Sequence, residues 1–424
     1  MKGLRKYISP FTPDQSGAVS VLFGYGGMLI IMDAGGCVGN VCGYDEPRWG
    51  KARSAIFSAG LRDLDAILGR DELLIRKVRQ ALQDMDANFV GLIGTPVPAT
   101  IATDYRALKR LMERDYGLPV LPVETNGIEL YDRGQERAYQ WLFREFLEAP
   151  SAMAEANTSP ISGVSNIPKT FGDGMESDEA NSCPKSGAAR ETGQPKACMA
   201  SGQPAESAEL TGEPFIGVLG ATPLDCTAVD AGDEFRRLIP ERYGARAVVY
   251  GMGDSLEDVR RAHLAVRNLV VSPSGLKTAR MLQEDYDIPY DVGYPASEEE
   301  RKIFLAKLAD DQGKKILVIH QQVFANEIRR WIQDAGIATE VDVASWFRMY
   351  SEIKAENDFV LAEENDLLRK VIENQYDVVI GDPLLRRALL GWNGIFRSIP
   401  HFPISGELHS SETTAAYWQK AGEQ

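Results

Sequence analysis

The chain of 424 residues carries 46 basic and 61 acidic side chains, a net charge of −15 at pH 7. Such a surface lacks the clustered Lys and Arg that neutralise phosphate, so we expect no nucleic-acid partner and no polybasic membrane contact. At about 150 residues per domain, the length predicts two or three domains.

No stretch of the sequence predicts a membrane-spanning helix. The longest apolar run, residues 18–32, is interrupted by glycines and is too short to cross a bilayer. The basic N-terminus runs directly into a Pro-containing segment without the apolar core of a signal peptide. An odd count of five cysteines also argues against a closed disulfide framework, and we expect a cytoplasmic protein.

The N-terminal part alternates apolar runs with amphipathic stretches, which predicts β/α units. The apolar runs predict strands at 28–33, 89–93 and 119–123. Helices are predicted at 14–25, 71–83, 99–116 and 133–147.

The segment 151–212 breaks this pattern. It contains ten Ala, nine Ser, seven Gly and five Pro, with Phe171 as its only aromatic residue. Such a composition buries too little apolar surface to offset the entropy of ordering the chain. We predict a disordered insertion, which removes Cys183 and Cys198 from a folded site.

Two further series of strands and helices follow the insertion. Strands are predicted at 216–219, 247–250, 269–271, 288–292, 316–319, 339–343 and 377–380. Helices are predicted at 255–265, 276–285 and 323–335. The fold class is therefore α/β, with three Rossmann-like domains of parallel strands at 1–150, 213–312 and 313–424.

Open parallel sheets bind ligands at the carboxyl ends of their strands. The loop after the first strand contains Gly35, Gly36, Cys37 and Cys42, and the loop after 89–93 begins Gly94-Thr95. Glycines allow a bulky anionic ligand to approach the backbone, or they simply form tight turns. The two thiols are candidate metal ligands or small buried hydrophobic side chains.

The run LIIMDAGGC at residues 29–37 resembles the strand and Gly-Cys cluster loop of the nitrogenase component 1 type proteins. Similar segments follow in the same order at 55–61 with 65–69, at 89–94 with Asp104, and at 217–225. The resemblance covers nearly the whole chain outside 151–212.

That resemblance implies a catalytic or scaffold component with three Rossmann-like domains. It further implies an iron–sulfur cluster, of the 4Fe-4S type, between two similar subunits, with electrons supplied by an ATP-hydrolysing iron protein. The sequence contains no Gly-x-x-x-x-Gly-Lys-[Ser/Thr] loop, so we expect no bound ATP in this chain.

The sequence departs from the family at several ligand positions. No cysteine precedes Cys37, and the later cluster position falls at Phe89 or Val90. Ser272 stands near the position of the cofactor cysteine, and a hydroxyl is a poor ligand for an iron cluster. His401 loosely resembles the cofactor histidine and is either a catalytic candidate or a structural residue. A molybdenum–iron cofactor is therefore not expected.

The number of thiols bears on the oligomeric state. A four-iron cluster normally takes four thiolates, whereas one ordered chain offers Cys37, Cys42 and, as a weaker candidate that also fits a buried position, Cys226. Two chains would supply four thiolates from Cys37 and Cys42 alone. We therefore expect a homodimer, or a heterodimer with a similar component 1 subunit.

Other charged groups flank the cysteine loop. Asp33 precedes it and is either a proton donor or an anchor of the loop, while the charged side chains of residues 45–49 are candidates to pair with one another in a structural role. The resemblance implies that the chain is the electron-accepting component of a nitrogenase-like two-component reductase that acts on a small molecule. A cluster-carrying assembly scaffold and a cluster-free module that binds a small ligand remain alternatives.

Overall fold

The computed structural model describes residues 5–49, 54–62, 65, 69–148, 213–226, 228–406 and 413–423. The predicted disordered insertion, with Cys183 and Cys198, lies outside the described residues. Within 5–148 and 214–423 the described residues belong to one compact unit. The domain boundaries at 150, 212 and 312 stay a prediction.

The strands are short and lie close to the predicted apolar runs. In chain order they are β1 Met28–Ile31, β2 Ala55–Ser58, β3 Val90–Ile93, β4 Val120–Val123, β5 Phe215–Leu219, β6 Arg246–Val249, β7 Arg267–Val270, β8 Tyr290–Val292, β9 Ile316–Ile319, β10 Val341–Ser345, β11 Phe359–Val360, β12 Val378–Gly381 and β13 Ile395–Ser398.

These strands form three parallel sheets, which confirms the predicted fold class. The strand orders are β2-β1-β3-β4, β6-β5-β7-β8 and β11-β10-β9-β12-β13. In each sheet the first strand in the chain is internal, so the order reverses beside it, between β1 and β3, β5 and β7, and β9 and β12. Such switch points are where open α/β sheets bind ligands.

The helices connect and cover these strands. They are α1 Asp14–Leu22, α2 Gly36–Asn40, α3 Asp71–Ala81, α4 Pro96–Thr100, α5 Tyr105–Tyr116, α6 Tyr131–Phe146, α7 Ala231–Tyr243, α8 Leu256–Arg260, α9 Leu276–Tyr286, α10 Glu298–Ala306, α11 Gln322–Asp334, α12 Glu364–Glu373, α13 Phe402–Ser405 and α14 Thr414–Lys420. In the described part of the chain, none is long and apolar enough to cross a membrane.

The structure contains helices that were not predicted, among them α7, α10 and α12, and it differs from the predicted elements at a helix break and at three strands. The single helix predicted at 99–116 is two helices, because Asp104 caps a new start by accepting a hydrogen bond from the Ala107 N–H at 2.9 Å. The edge strands β2, β11 and β13 were not predicted. Each of these three strands is only partly buried, and β13 also contains Arg397, whose charge is paired with Asp311 at 2.9 Å.

Helices α1 and α6 cross in direct backbone contact at two glycines. A Cβ on Gly134 would lie 1.7 Å from the Asp14 carbonyl oxygen, and one on Gly17 would lie 1.9 Å from the Tyr131 carbonyl oxygen. Only glycine permits this approach. The crossing holds α6 in the interior, where Asp132, Gln135 and Glu136 are buried together with its apolar residues.

Candidate functional site

The loop after β1 begins at the switch point of the first sheet. Ile31 and Ile93 pair at the carboxyl ends of β1 and β3, so the loops that follow both strands start at the same level. Asp33 is buried, and its carboxylate accepts the Val38 N–H at 2.9 Å and the Ser58 hydroxyl at 2.5 Å. This carboxylate therefore fixes the start of α2, which carries Cys37, to the neighbouring strand β2.

The four glycine and threonine positions predicted to bind a cofactor fall into two groups. Gly35 has φ +119°, and neither it nor Gly36 has an atom within 4 Å of an added Cβ, so both border open space. A Cβ on Gly94 would lie 2.2 Å from the Thr125 carbonyl oxygen. Thr95 is buried and donates to the Met32 carbonyl at 2.7 Å. Gly94 and Thr95 thus hold adjacent loops together, while Gly35 and Gly36 leave a face open.

Cys37 and Cys42 lie on one continuous helical segment. Cys37 is in α2, and Cys42 is in a π-helical turn, Val41–Asp45, that continues it. Both thiols are half-buried against the same hydrophobic core. Burial and the nearby Asp33 raise the pKa of Cys37, and burial and Glu46 raise the pKa of Cys42. A bound cation would favour both thiolates, so metal binding here would release protons.

Polar anchors hold the end of this segment. The Asp45 carboxylate accepts the Ser16 hydroxyl at 2.7 Å. Arg48 pairs with Glu46 at 2.7 Å and donates to the carbonyls of Ser20 at 2.6 Å and Gly251 at 2.7 Å. This ion pair is one of the internal pairings expected for residues 45–49, and Arg48 ties the cysteine loop both to α1 and to the loop after β6.

We expect Arg48→Lys to lower the free energy of unfolding by about 1–2 kcal/mol, because an ammonium cannot reach both carbonyls and both carboxylate oxygens. Urea denaturation measures the change. Arg70→Lys is the matched control, since the Arg70 side chain is half-exposed and pairs with Asp65 at the surface. Equal losses in both variants would contradict this role of the Arg48 guanidinium.

A second polar cluster joins the other two sheets. Asp225 follows β5, and its carboxylate accepts the Tyr131 hydroxyl at 2.8 Å. The same hydroxyl lies 3.2 Å from Nε2 of His401, which follows β13. The His401 ring stacks on His320, after β9, with 3.8 Å between ring centroids. One tyrosine of α6 therefore links the carboxyl ends of two sheets.

Burial controls protonation throughout this cluster. It raises the pKa of Asp225 to about 7 and lowers the pKa of His320 to about 3. It also lowers the pKa of His401, with a smaller contribution from His320. Ser272, near the family's cofactor-cysteine position, is fully buried and donates to the Gly220 carbonyl at 2.9 Å. A catalytic role for His401 stays a prediction, and its surroundings are those of a neutral buried imidazole.

Sequence reasoning missed Tyr131, the residue that joins this cluster. It begins α6, which looks in sequence like an ordinary amphipathic helix. The available signal was the polar trio Asp132, Gln135 and Glu136 among the apolar residues of the same helix. All three are buried, so α6 is covered over more of its circumference than an ordinary surface helix, although Arg144 is exposed.

Cys226 lies apart from the other two thiols. It packs against a different hydrophobic core and borders a small cavity lined largely by Pro47, Pro223, Pro400 and Phe402. Burial and the adjacent Asp225 raise its pKa. Among the described residues, no group of three or more His, Cys, Asp or Glu side chains is arranged to hold a metal ion.

Comparisons with known proteins agree with this architecture. No curated protein sequence matches the chain. The structure resembles that of nitrogenase Cp1 at pH 6.5, with a TM-score of 0.63 and 13% identity over 99% of this chain and 92% of the other. It also resembles nitrogenase Cp1 at pH 5, with a TM-score of 0.53 and 14% identity over 89% and 73%. The family model described as nitrogenase component 1 type oxidoreductase matches residues 14–336. Since that match spans most of the chain, the protein belongs to the nitrogenase component 1 type oxidoreductase family.

Proposed function

We propose that this chain is the electron-accepting component of a nitrogenase-like two-component reductase. It receives electrons from an ATP-hydrolysing iron protein and passes them to a small-molecule substrate. Membership of the family supports this assignment, and the net charge of −15 suits the steering of a basic docking face. Free, half-exposed thiols suit the reducing cytoplasm, where we place the protein.

The observation that carries the proposal is the pair of half-buried thiols, Cys37 and Cys42, on one helical segment at a switch point. Thiolates are the usual ligands of iron–sulfur clusters, and a four-iron cluster normally takes four of them. Among the described residues, one chain supplies two at this place, because Cys226 packs in another core. Two chains that meet here would supply the full set.

The chain's own residues prepare this place for a cluster. The Asp33 carboxylate fixes the orientation of the helix that carries Cys37. Gly35 and Gly36 border open space, so a bulky group can approach the backbone. When bound, a cluster supplies one-electron transfer at low potential, while the protein sets its exposure and hydrogen bonding.

Anaerobic purification with iron and sulfide quantification tests the proposal. We expect about four irons per dimer and an absorption band near 400 nm. Cys37→Ser and Cys42→Ser should each lose most of the iron and the band, whereas Cys226→Ser, the same change in another core, should keep both. A wild-type chain without iron, or equal loss in all three variants, would contradict the assignment.

The same preparation separates the reductase from its alternatives. We expect electron transfer from an iron protein and ATP to a reducible substrate. A cluster-loaded protein that turns over nothing would instead be an assembly scaffold. A chain that binds no cluster but retains a small ligand would be a binding module.

A further inference from the structure

Helix α5 carries a row of exposed arginines. Arg106, Arg110 and Arg114 follow one another at every fourth position, and all three are exposed. Residues four apart lie on one face of a helix, about 6 Å from each other along its axis. We call these three side chains the arginine stripe. It places three positive charges along about 12 Å of a chain whose net charge is −15.

The arginine stripe has no acidic counterpart in the part of the chain that the structure describes. None of its three guanidinium groups forms an ion pair with a carboxylate there. The acidic residues of α5 are engaged by other cations, Glu113 by Lys109 at 2.5 Å and Asp115 by Arg79 at 2.7 Å. Asp104, just before the helix, caps its first turn. The stripe therefore presents its full charge to solvent.

Exposed arginines on three other helices are arranged differently. Arg237, Arg330 and Arg369 each pair with an acidic residue three positions earlier on the same helix. Like charges four residues apart destabilise a helix, and a cation in the first turn, as Arg106 is, opposes the helix dipole. Neither the neighbours nor the dipole of α5 thus favours the stripe. Such local conflicts are expected at functional surfaces, where a partner supplies the missing charge.

We propose that the arginine stripe binds an acidic helix of a partner protein. Guanidinium groups bind carboxylates through two parallel hydrogen bonds, and arginine, unlike lysine, is enriched at protein interfaces. A partner helix with Asp or Glu at every fourth position presents its carboxylates at the same spacing of about 6 Å. Leu111, which follows Arg110 and is 36% exposed, and the half-buried Ala107 would give the two helices an apolar contact.

The number of charges in the stripe favours an acidic protein over a nucleic acid. A DNA duplex carries about seven phosphates over about 12 Å of its axis, and three arginines would neutralise fewer than half of them. The other phosphates would face a chain of net charge −15. Three carboxylates on one helix face match the arginines one to one. The stripe repels a basic docking face, so this partner differs from the iron protein, and the inference does not rest on the proposed function.

Binding of an acidic helical peptide tests the arginine stripe. The probe is a fluorescein-labelled, alanine-based peptide with Glu at every fourth position, and its Kd for the full chain is measured by fluorescence anisotropy at low ionic strength. We expect the wild-type chain to bind this peptide and not the same peptide with Gln in place of Glu. Arg106→Gln/Arg110→Gln/Arg114→Gln should raise the Kd at least about tenfold.

The matched control, Arg237→Gln/Arg330→Gln/Arg369→Gln, removes the same charge from exposed arginines that are already paired, and should change the Kd less than about twofold. Absence of binding to the wild-type chain, or equal losses in both triple variants, would overturn the proposal. Tighter binding of duplex DNA, lost in the stripe variant, would assign the arginines to phosphate and overturn it as well. So would a lower melting temperature of the stripe variant alone, because the arginines would then stabilise the fold.

Discussion

Gly134→Ala is expected to lower the free energy of unfolding by at least about 3 kcal/mol. The added Cβ would lie 1.7 Å from the Asp14 carbonyl oxygen, and backbone cannot move aside as a flexible side chain does. Helices α1 and α6 must then separate, although every residue of α1 is buried. This loss exceeds the gain of about 1 kcal/mol that alanine brings to a helix interior.

Urea denaturation at constant pH measures this change. Gly293→Ala is the matched control, because an added Cβ there meets no atom within 4 Å and the residue needs no left-handed conformation. We expect the control to stay within about 0.5 kcal/mol of the wild type. If Gly134→Ala behaved like the control, the close helix crossing would be wrong.

Asp225→Asn is expected to stabilise the protein at pH 8 by about 3 kcal/mol. Burial raises the pKa of Asp225 from 3.8 to about 7, so at pH 8 the folded chain holds a buried carboxylate. Asparagine has nearly the same shape and no charge, and its carbonyl oxygen can still accept the Tyr131 hydroxyl. The variant therefore removes the cost of the buried charge and keeps the hydrogen bond.

The raised pKa of Asp225 makes the folded protein less stable as pH rises. Between about pH 4 and pH 7 the folded chain keeps the Asp225 proton that the unfolded chain releases. The unfolded state binds fewer protons in that window, so the free energy of unfolding falls as pH rises from about 4 to about 7. Above about pH 7 the contribution of Asp225 stays constant. Asp132, whose pKa is also raised to about 7, is one of the charges that raise the pKa of Asp225, so removing the Asp225 carboxylate also makes Asp132 easier to ionise, which adds to the advantage of the variant above about pH 7.

Unfolding midpoints measured at pH 5 and pH 8 check this result. The advantage of Asp225→Asn should be small at pH 5 and largest at pH 8. Asp233→Asn is the matched control, because Asp233 is largely exposed and paired only with Arg236. An advantage of Asp225→Asn that did not grow with pH would contradict the burial of a titrating carboxyl at this place.

The predictions from sequence were most accurate for the fully buried strands. β1, β3, β4 and β9 are short runs of apolar residues buried on both faces of a parallel sheet, so their hydrophobicity is continuous and easy to see. The edge strands β2 and β11 lack this signal, because part of each is exposed. Burial on both faces, rather than strand propensity alone, made a strand predictable.

One part of the candidate site could likewise be predicted from the sequence, and another part could not. The Gly-Cys loop was visible because its glycines and thiols are contiguous, and the structure places Cys37 and Cys42 on one helical segment. The cluster of Tyr131, Asp225 and His401 could not be predicted from the sequence, because Asp225 and His401 lie 94 and 270 residues after Tyr131. No local pattern indicates that residues so distant in sequence share hydrogen bonds.

The sequence by itself determined the family, the three parallel sheets and the position of the cysteine loop. These properties follow from local runs of apolar residues, from glycines and from motif order, which need no knowledge of distant contacts. The tertiary structure decided that α6 lies in the interior and that Asp225 carries a raised pKa. The first depends on the backbone contact at Gly17 and Gly134, and the second on the burial of Asp225 beside Tyr131 of the same helix, a residue 94 positions away in the sequence.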